Sequence, residues 1–558
     1  MKANDLLDMI GNVDDGIIEE AEKKKRLAIS KLTRWAAAAA CLCVVIGGVL
    51  FFVRTGGHSA PGGGTGGRSG AGGSGHNEGS VFMSYAGPVF PLTLREENST
   101  ISADRTITMD FAPWVPVWIP NEEEAASRTD LTEEERQDVL NSYNEWFPEG
   151  GRYESSDHIL VTDSYTLTNE DTQDQTLRVL YPFVSNLNNL AINRPTLTLN
   201  GEELETALHA GSYAGGFQGA WENGSTHDNP GSLNLDPVES WEGYRDLLAD
   251  GTYCQRALGD FADFSEIPVT VYEFTDARGP ESSEDDGIPN PTIRVLFELD
   301  YTQTRILSYG FNGGLHDEEK GIMGREFSIP EPGSRRYGVP RYLIVIGDDI
   351  ENVNTQGFAT GGWDTKKTVE ANVTVTRTES NLEDALRTAA YWVQGLTDAG
   401  NYFGSEPGYG FELYFGLMKE HLSAYGVLSE NVAARYATGM IEELDVAAAV
   451  RVFWLEAEIT VPAGTSVKLD AAFDKEPSFD FVCGAGNRGI SGYDLVTGLG
   501  SNLTFTGQTA RLEDRGQIEI VRQNFGFDPA NGIAAVELDL NTPHYYLEVR
   551  KAGIPGQN

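Results

Sequence analysis

The chain has 558 residues, an apolar fraction of 40 % and a formal net charge of −43 at pH 7. This length predicts about two to four domains, and the apolar content excludes general disorder. So strong a negative field repels phosphate backbones, which argues against nucleic acid as a partner. Cysteine is too scarce for a disulfide framework; whether Cys254 and Cys483 pair stays open.

Residues 1–34 form a leader in which basic and acidic residues are equal in number, so the whole excess of acid lies beyond it. Two short apolar and acidic clusters in the leader flank a Gly-Asn turn. They predict either a small docking helix pair for a cytoplasmic partner or a segment that only sets membrane topology.

An uncharged run follows from Trp35 to Val53. A helix of this length spans about 28 Å, close to the hydrocarbon thickness of a bilayer. A core helix would show a polar stripe, a cleaved signal would be shorter, and lipid attachment at Cys41 would need the apolar run before the cysteine. The run therefore predicts an uncleaved transmembrane helix, residues 35–53, with the lipid bilayer as its partner.

The orientation of this helix follows from the basic residues clustered just before the run. Basic flanks stay on the cytoplasmic side, so residues 1–34 are predicted inside the cell membrane and the C-terminal body outside it. Residues 54–80, rich in Gly and Ser, predict a flexible linker that holds the body away from the bilayer.

Residues 81–377 read as a β-rich ectodomain with helical insertions. Residues 130–147 predict its first amphipathic helix, with Trp146 on the apolar face. Alternation over residues 163–183 predicts a hairpin, and Asn200-Gly201 predicts a tight hairpin turn. The continuous apolar run from Tyr342 to Ile346 predicts a central strand that is buried on both faces.

Residues 378–447 predict a helical block, since helical periodicity there begins at a Ser-Asn cap with acids in the first turn. Residues 448–558 return to short alternating strands, including a predicted pair at 536–540 and 545–549, and predict a compact C-terminal β-sandwich-like domain. The predicted fold class is mainly β with a helical block (α+β), arranged as antiparallel β-sandwich-like domains of a membrane-anchored ectodomain.

Gly484, Gly486 and Gly489 match the spacing of a dinucleotide-binding loop. That motif needs a helix directly after the glycines to receive the pyrophosphate, and the residues that follow show no helical period. A glycine-rich turn between sandwich strands is the favoured interpretation.

Metal sites find little support in the sequence. The eight His residues are scattered, with no zinc-binding spacing. Residues 169–176 and 282–290 form acidic loops whose oxygens could hold Ca²⁺, although neither has EF-hand spacing. Solvated loops are the favoured interpretation of both. No cofactor and no metal ligand is therefore assigned.

Sugar chemistry leaves one set of candidate residues. Hydrolysis of glycans needs two carboxylates in a cleft, and no pair can be chosen among 84 Asp and Glu residues, so no catalytic residue is assigned. Exposed aromatic rings could instead stack on sugars. The candidates lie in Pro-rich or Gly-rich surroundings and are Trp114, Trp118, Trp221 and Trp363. Ordinary core packing is the favoured interpretation of each.

The leader, from "DLLDMIGNVDD" to "KLTRWAAAAACLCVV", resembles those of uncharacterised single-pass, surface-exposed membrane proteins of Gram-positive gut bacteria, some with anti-sigma-factor-like leaders. "SFDFVCGAGNRGISGYD" and "IEIVRQNFGFD" near the C-terminus resemble segments of the same proteins. The resemblance implies a location at the cell surface and supplies no functional residues.

Three functions remain open at this point. The leading hypothesis is a membrane-tethered extracellular binding or sensing protein without catalytic activity, whose ligand is a protein or a glycan. The alternatives are an anti-sigma-like transmembrane regulator, whose leader engages a cytosolic factor, and a surface carbohydrate-active enzyme.

Overall fold

The computed structural model describes most of the chain beyond the predicted linker, and all described residues belong to the unit Gly63–Asn558. The described residues are 87–128, 131–213, 261–331, 334, 337–394, 396–397, 400–401, 408–424, 426–429, 440–444, 446–480 and 489–552. No helix within these ranges is long and apolar enough to cross a bilayer. The leader, the predicted transmembrane helix, the predicted linker at residues 54–80 and residues 81–86 lie outside them.

The described residues are mainly β, which confirms the predicted β-rich character. The first strands are β1 (Thr93–Leu94), β2 (Ile101–Asp110), β3 (Val117–Pro120), β4 (Gly151–Glu154), β5 (Ile159–Asn169), β6 (Gln175–Ser185), β7 (Thr196–Leu199), β8 (Glu202–Glu203) and β9 (Ala207–Tyr213). The next group is β10 (Pro268–Arg278), β11 (Thr292–Glu298), β12 (Thr304–Tyr309), β13 (Gly313–Asp317), β14 (Ile322–Ser328), β15 (Arg341–Gly347), β16 (Glu351–Phe358), β17 (Thr368–Val369) and β18 (Asn372–Asn381).

The remaining strands are β19 (Leu396–Thr397), β20 (Gly400–Asn401), β21 (Arg451–Val461), β22 (Ser466–Lys475), β23 (Phe479–Asp480), β24 (Ile490–Val496), β25 (Thr504–Glu513), β26 (Ile518–Gln523), β27 (Ala535–Glu537) and β28 (His544–Lys551). The described α-helices are α1 (Asn121–Ser127), α2 (Glu133–Trp146), α3 (Leu190–Asn193), α4 (Leu382–Val393) and α5 (Phe411–Ala424).

The first sandwich is built from both ends of the described chain. One face of a seven-stranded sheet, in the order β27-β25-β2-β5-β22-β7-β8, packs against two four-stranded sheets. These are β1-β6-β21-β9 and β23-β24-β28-β26. Strands β2 and β25 pair in parallel, so the sandwich is not wholly antiparallel as predicted. The sheets also cross the predicted boundary at residue 448, because β21 pairs with β6 and β22 pairs with β5.

The predicted hairpin at residues 163–183 is wrong. The two strands alternate as predicted, but β5 belongs to the seven-stranded sheet and β6 to the sheet that faces it. Their apolar residues meet across the core as two layers instead of lying side by side. The predicted C-terminal pair is wrong for the same reason, since β27 and β28 lie in different sheets. Alternation fixes which face of a strand is buried, and it does not fix the neighbouring strand.

The predicted turn at Asn200-Gly201 is confirmed. Both residues have positive φ, 51° and 91°, and β7 pairs directly with β8 on either side of them. Such angles suit a two-residue hairpin turn, where Gly carries no steric penalty and Asn carries a small one.

The second sandwich is continuous in the chain and lies between β9 and β21 in sequence. Its two sheets have the orders β12-β15-β10-β18 and β13-β14-β11-β16-β17. The predicted central strand at Tyr342–Ile346 is confirmed: β15 lies between β10 and β12, Leu343 and Val345 face the core of this sandwich, and Ile344 packs on the opposite side.

Helices α4 and α5 lie between the two sandwiches and belong to the helical block predicted at residues 378–447. Asn381 caps α4 by accepting a hydrogen bond from the Asp384 amide, which confirms the predicted start of this helix. Helix α4 contacts β10 and β15 of the second sandwich, and α5 contacts β9 of the first. The third predicted helical segment lies mostly outside the described residues.

Candidate functional site

An aromatic arm, residues 111–128 and 131–158, joins β2 to β5 and extends from the end of these paired strands. It consists of the ribbon β3-β4 and the two helices α1 and α2. Phe111 and Trp114 at its base belong to the core of the first sandwich, which anchors the arm. An insertion held in this way can present side chains to solvent without disturbing the core.

Local interactions give the arm a defined shape. Thr132 forms a capping box with Glu135 at the start of α2, which confirms the helix predicted at residues 130–147. The buried Asn121 amide donates to the Phe147 carbonyl, 3.0 Å away, and ties α1 to the end of α2. Arg152 on β4 forms an ion pair with Glu124 on α1. The ribbon is thereby fixed to the helices.

Two large aromatic side chains lie exposed on one face of the ribbon. Trp118 on β3 and Tyr153 on β4 are direct cross-strand partners, with ring centroids 5.0 Å apart and an edge-to-face angle of 67°. Their exposed fractions are 38 % for Trp118 and 63 % for Tyr153. Val117 and Trp146 add further exposed apolar surface to the arm. Trp146, on the predicted apolar face of the helix, is therefore 51 % exposed.

Gly151 determines where the Trp118 indole lies. A Cβ atom at residue 151 would come 2.7 Å from the indole Cζ2 atom and 2.4 Å from the Ile119 carbonyl oxygen. Only glycine leaves room for the ring to lie over the ribbon backbone. One side of the indole is therefore supported by the ribbon while the ring remains accessible to solvent.

The four tryptophans predicted as candidate sugar-stacking residues lie in different environments. Among the three candidates that the structure describes, Trp118 alone combines exposure with a second exposed ring. Trp114 is buried in the core, and Trp363 lies over Gly324 and beside the Arg294 guanidinium, so both pack within the fold. Trp221 lies outside the described residues. Tyr153 was missed by the sequence reasoning, although its position in a short alternating segment after Gly151 was a usable signal.

A small cavity in the first sandwich gathers ionisable residues. Lys475, Asp474 and Glu476 line it together with Asn193 and apolar residues of β6. Burial lowers the pKa of Lys475 to about 8, and burial raises the pKa of Glu476. Burial opposes protonation of His158, but its hydrogen bond to Asp474 and the negative charges of Asp474, Glu476 and Asp157 together outweigh this effect and raise the pKa of His158.

The size of this cavity limits its chemistry. Its volume is about 10 Å³, which is room for about one water molecule. A sugar ring does not fit, so the two carboxylates Asp474 and Glu476 do not form an open glycan-cleaving cleft in this conformation. The Lys475 ammonium donates to the Glu476 carbonyl, 3.0 Å away.

A polar seam, consisting of Arg105, Asp163, Tyr165 and Tyr181, lies where the two four-stranded sheets meet above the seven-stranded sheet. Arg105 and Asp163 are fully buried and form two hydrogen bonds of 2.9 Å. Both tyrosine hydroxyls donate to Asp163, at 2.7 Å and 3.2 Å. Sequence reasoning missed this pair, although each charge occupies an inward position of an alternating apolar strand.

Within the described residues, the predicted glycine-rich loop and the acidic loops do not have the geometry of a ligand site. Residue Gly489 leads directly into β24, whereas a dinucleotide loop would lead into a helix, and Gly484 and Gly486 lie outside the described residues. Within the described ranges, no cluster of three or more His, Cys, Asp or Glu side chains could hold a metal ion. The two acidic loops make internal bonds instead: Asp174 accepts from the Ala463 amide, and Lys367 donates to the Asp286 carbonyl.

Cys254 and Cys483 lie outside the described residues, so whether they pair stays open. Comparison of the chain with protein-family models, with curated proteins and with solved structures found no match.

Proposed function

We propose that this protein is a membrane-tethered extracellular binding protein without catalytic activity, and that its aromatic arm binds glycans. The exposed Trp118–Tyr153 pair carries the proposal. Large aromatic side chains are costly to leave in water, and surface positions at which they cluster are commonly binding sites. The predicted transmembrane helix and linker would hold the arm outside the cell.

Two features favour a glycan over a protein as the ligand. A stable protein interface usually covers about 800 Å² on each partner, and the exposed pair is only a small part of such an area. A sugar ring has one apolar C–H face and a rim of hydroxyls, which match an indole with an adjacent phenol hydroxyl. The supported indole of Trp118 loses little conformational freedom on binding, which lowers the entropic cost.

The arm is tested by glycan binding to the full chain in detergent micelles. We expect a panel of soluble β-glucans, mannans, xylans and mucin-type oligosaccharides to contain at least one ligand. Replacing either ring, Trp118→Ala or Tyr153→Ala, should weaken its binding by about ten-fold or more, the usual cost of an aromatic anchor.

Tyr337→Ala is the matched control, since Tyr337 is 50 % exposed and lies outside the arm. It should bind as the unmodified chain does. Equal binding by the Trp118→Ala/Tyr153→Ala double variant would contradict the role of the arm. Binding of no glycan by the unmodified chain would contradict the ligand class, and turnover of any glycan would contradict the absence of catalysis.

The proposed location has a separate test. Protease added to intact cells should remove the acidic body and leave residues 1–34 protected inside. A body that survives this treatment, or that is recovered free in the medium after normal processing, would contradict the tethered extracellular arrangement.

A further inference from the structure

The longest exposed sheet edge of the described chain is β18, the outer strand of the second sandwich. It has ten residues and pairs along one side with β10. The other edge strands of the described sheets have seven residues or fewer. All residues from Thr374 to Glu379 are exposed, with Val375 at 40 %. Folded proteins usually shorten, bend or cover such an edge because its backbone groups can pair with another strand.

The composition of β18 favours pairing. Residues 373–376 are all β-branched, which suits an extended strand, and the strand contains no proline. Its charges are Arg377 and Glu379, which have opposite sign and lie on the same face because they are two residues apart. The Arg377 guanidinium is already held in place by Asp349, 2.8 Å away.

We propose that β18 pairs with β18 of a second copy of this chain, in an antiparallel manner about Thr378. Two identical strands related by a two-fold axis run antiparallel, so each residue before the centre lies opposite one after it. Arg377 then lies opposite Glu379 of the second copy, and the same pair recurs on the other side of the axis. The two sheets join into one continuous sheet.

The charges also select this register over its neighbours. Pairing about Thr376 would place Arg377 opposite Val375 and leave both acidic and basic groups without a cross-strand partner. Opposite charges directly across a strand pair are favourable, and like charges are unfavourable. Helix α4 begins at Leu382, so about seven residues, 375–381, can pair. An interface this small predicts a dissociation constant on the order of ten micromolar.

Sedimentation of the full chain in detergent micelles tests the pairing. We expect a concentration-dependent dimer that weakens as salt rises, because exposed ion pairs are screened. Arg377→Glu and Glu379→Arg each create like-charge contacts across the axis, and each should weaken self-association by at least about ten-fold. Mixing these two variants should restore the dimer, since every acidic position then faces a basic one.

The mixture separates a charge effect from misfolding, because damaged chains would not recover a partner. The Glu379→Arg variant additionally keeps the Arg377–Asp349 pair intact. A chain that remains monomeric up to about 100 µM would overturn the proposal. A dimer of unchanged affinity in both single variants, or two variants that stay monomeric when mixed, would overturn it as well. Glycan binding by the arm is unaffected by any of these results.

Discussion

The two sandwiches bury charge in different ways. In the first, the Arg105–Asp163 pair lies inside the core, and Arg105 donates to the carbonyl oxygens of Phe90 and Val496 at 3.0 Å and 2.9 Å. In the second, the buried Arg325 takes an inward position between Met323 and Phe327 and donates to the Ser308 hydroxyl, 3.2 Å away. The Arg294–Glu326 ion pair of this sandwich lies on the outer face of the sheet, where Arg294 stacks on the Phe358 ring.

The sheet arrangement explains this difference. In the second sandwich one sheet faces one sheet, and its inward Arg325 meets the Ser308 hydroxyl and the His316 ring. In the first, two sheets share the face of a third, and carbonyl groups at the break between them need buried donors. Arg105 supplies these donors, and Asp163 with its two tyrosines neutralises the arginine. In the first sandwich, the buried Arg105–Asp163 pair marks the place where a sheet is interrupted.

Breaking the polar seam should have the largest effect. Asp163→Ala leaves a buried guanidinium without its carboxylate, and we expect the free energy of unfolding to fall by about 3–5 kcal/mol. The double variant Arg105→Met/Asp163→Leu should recover only part of this loss, because the two carbonyls remain without a donor. Urea unfolding followed by tryptophan fluorescence measures both.

The exposed Arg178–Glu96 pair provides the control, since Glu96→Ala should change the free energy of unfolding by about 0.5 kcal/mol or less. A cost below about 1 kcal/mol for Asp163→Ala would show that the seam is not a structural requirement. Full recovery in the double variant would show that the carbonyls do not need Arg105.

Lys475 extends the comparison to alkaline pH. The pKa of Lys475 is about 8 in the folded chain, against 10.5 for an exposed lysine. Between these two pH values the unfolded chain therefore binds more protons than the folded chain. For this reason the contribution of Lys475 to the free energy of unfolding rises with pH. Relative to Lys475→Met, the unmodified chain should gain up to about 3 kcal/mol in the free energy of unfolding from pH 8 to pH 10.5.

Lys468→Met is the matched control on the same strand, because the Lys468 side chain is 60 % exposed. Its difference from the unmodified chain should stay constant over this pH range. A constant difference for Lys475→Met too would mean that the Lys475 ammonium is not destabilised by burial in the folded chain.

Sequence patterns predicted strands and buried faces well and strand partners poorly. The alternation around Tyr165 and around Tyr545 identified core residues correctly. A local pattern cannot distinguish a hairpin from two strands stacked face to face, because both bury alternate side chains. The Asn200-Gly201 turn was predictable since its backbone angles are a local property.

The candidate site was predictable only in part. Trp118 stood out through its Pro-rich setting, but its exposure depends on β3 pairing with β4 across two intervening helices. The polar seam left a clearer trace: Arg105 and Asp163 each interrupt a run of inward apolar residues, and two such opposite charges predict a buried pair. That inference needs the strands to be neighbours, which the register of β2 and β5 supplies.

A substitution on the outer face of the second sandwich tests the packing around its Arg294–Glu326 pair. A Cβ at Gly324 would lie 2.4 Å from the Trp363 ring, which caps Arg294. Gly324→Ala should therefore cost about 1–3 kcal/mol through overpacking. Gly498→Ala is the control and should be nearly neutral, because a Cβ there meets nothing within 4 Å. Thermal unfolding of the two variants measures the difference. Equal stabilities would mean that Trp363 moves freely away from the sheet.

Two conservative substitutions, which have the smallest expected effect, test whether the two cores differ in anything besides the polar seam. Ile107 in the first sandwich and Ile306 in the second are both fully buried. Removing one methyl group, Ile107→Val or Ile306→Val, should cost about 0.5–1.5 kcal/mol at either position, since transfer and cavity terms are alike. Urea unfolding should give values that agree within about 0.5 kcal/mol. A much larger cost at Ile107, two residues from Arg105, would mean that the seam and its apolar surroundings are coupled and that the first core does not tolerate loss of packing beside its buried charge.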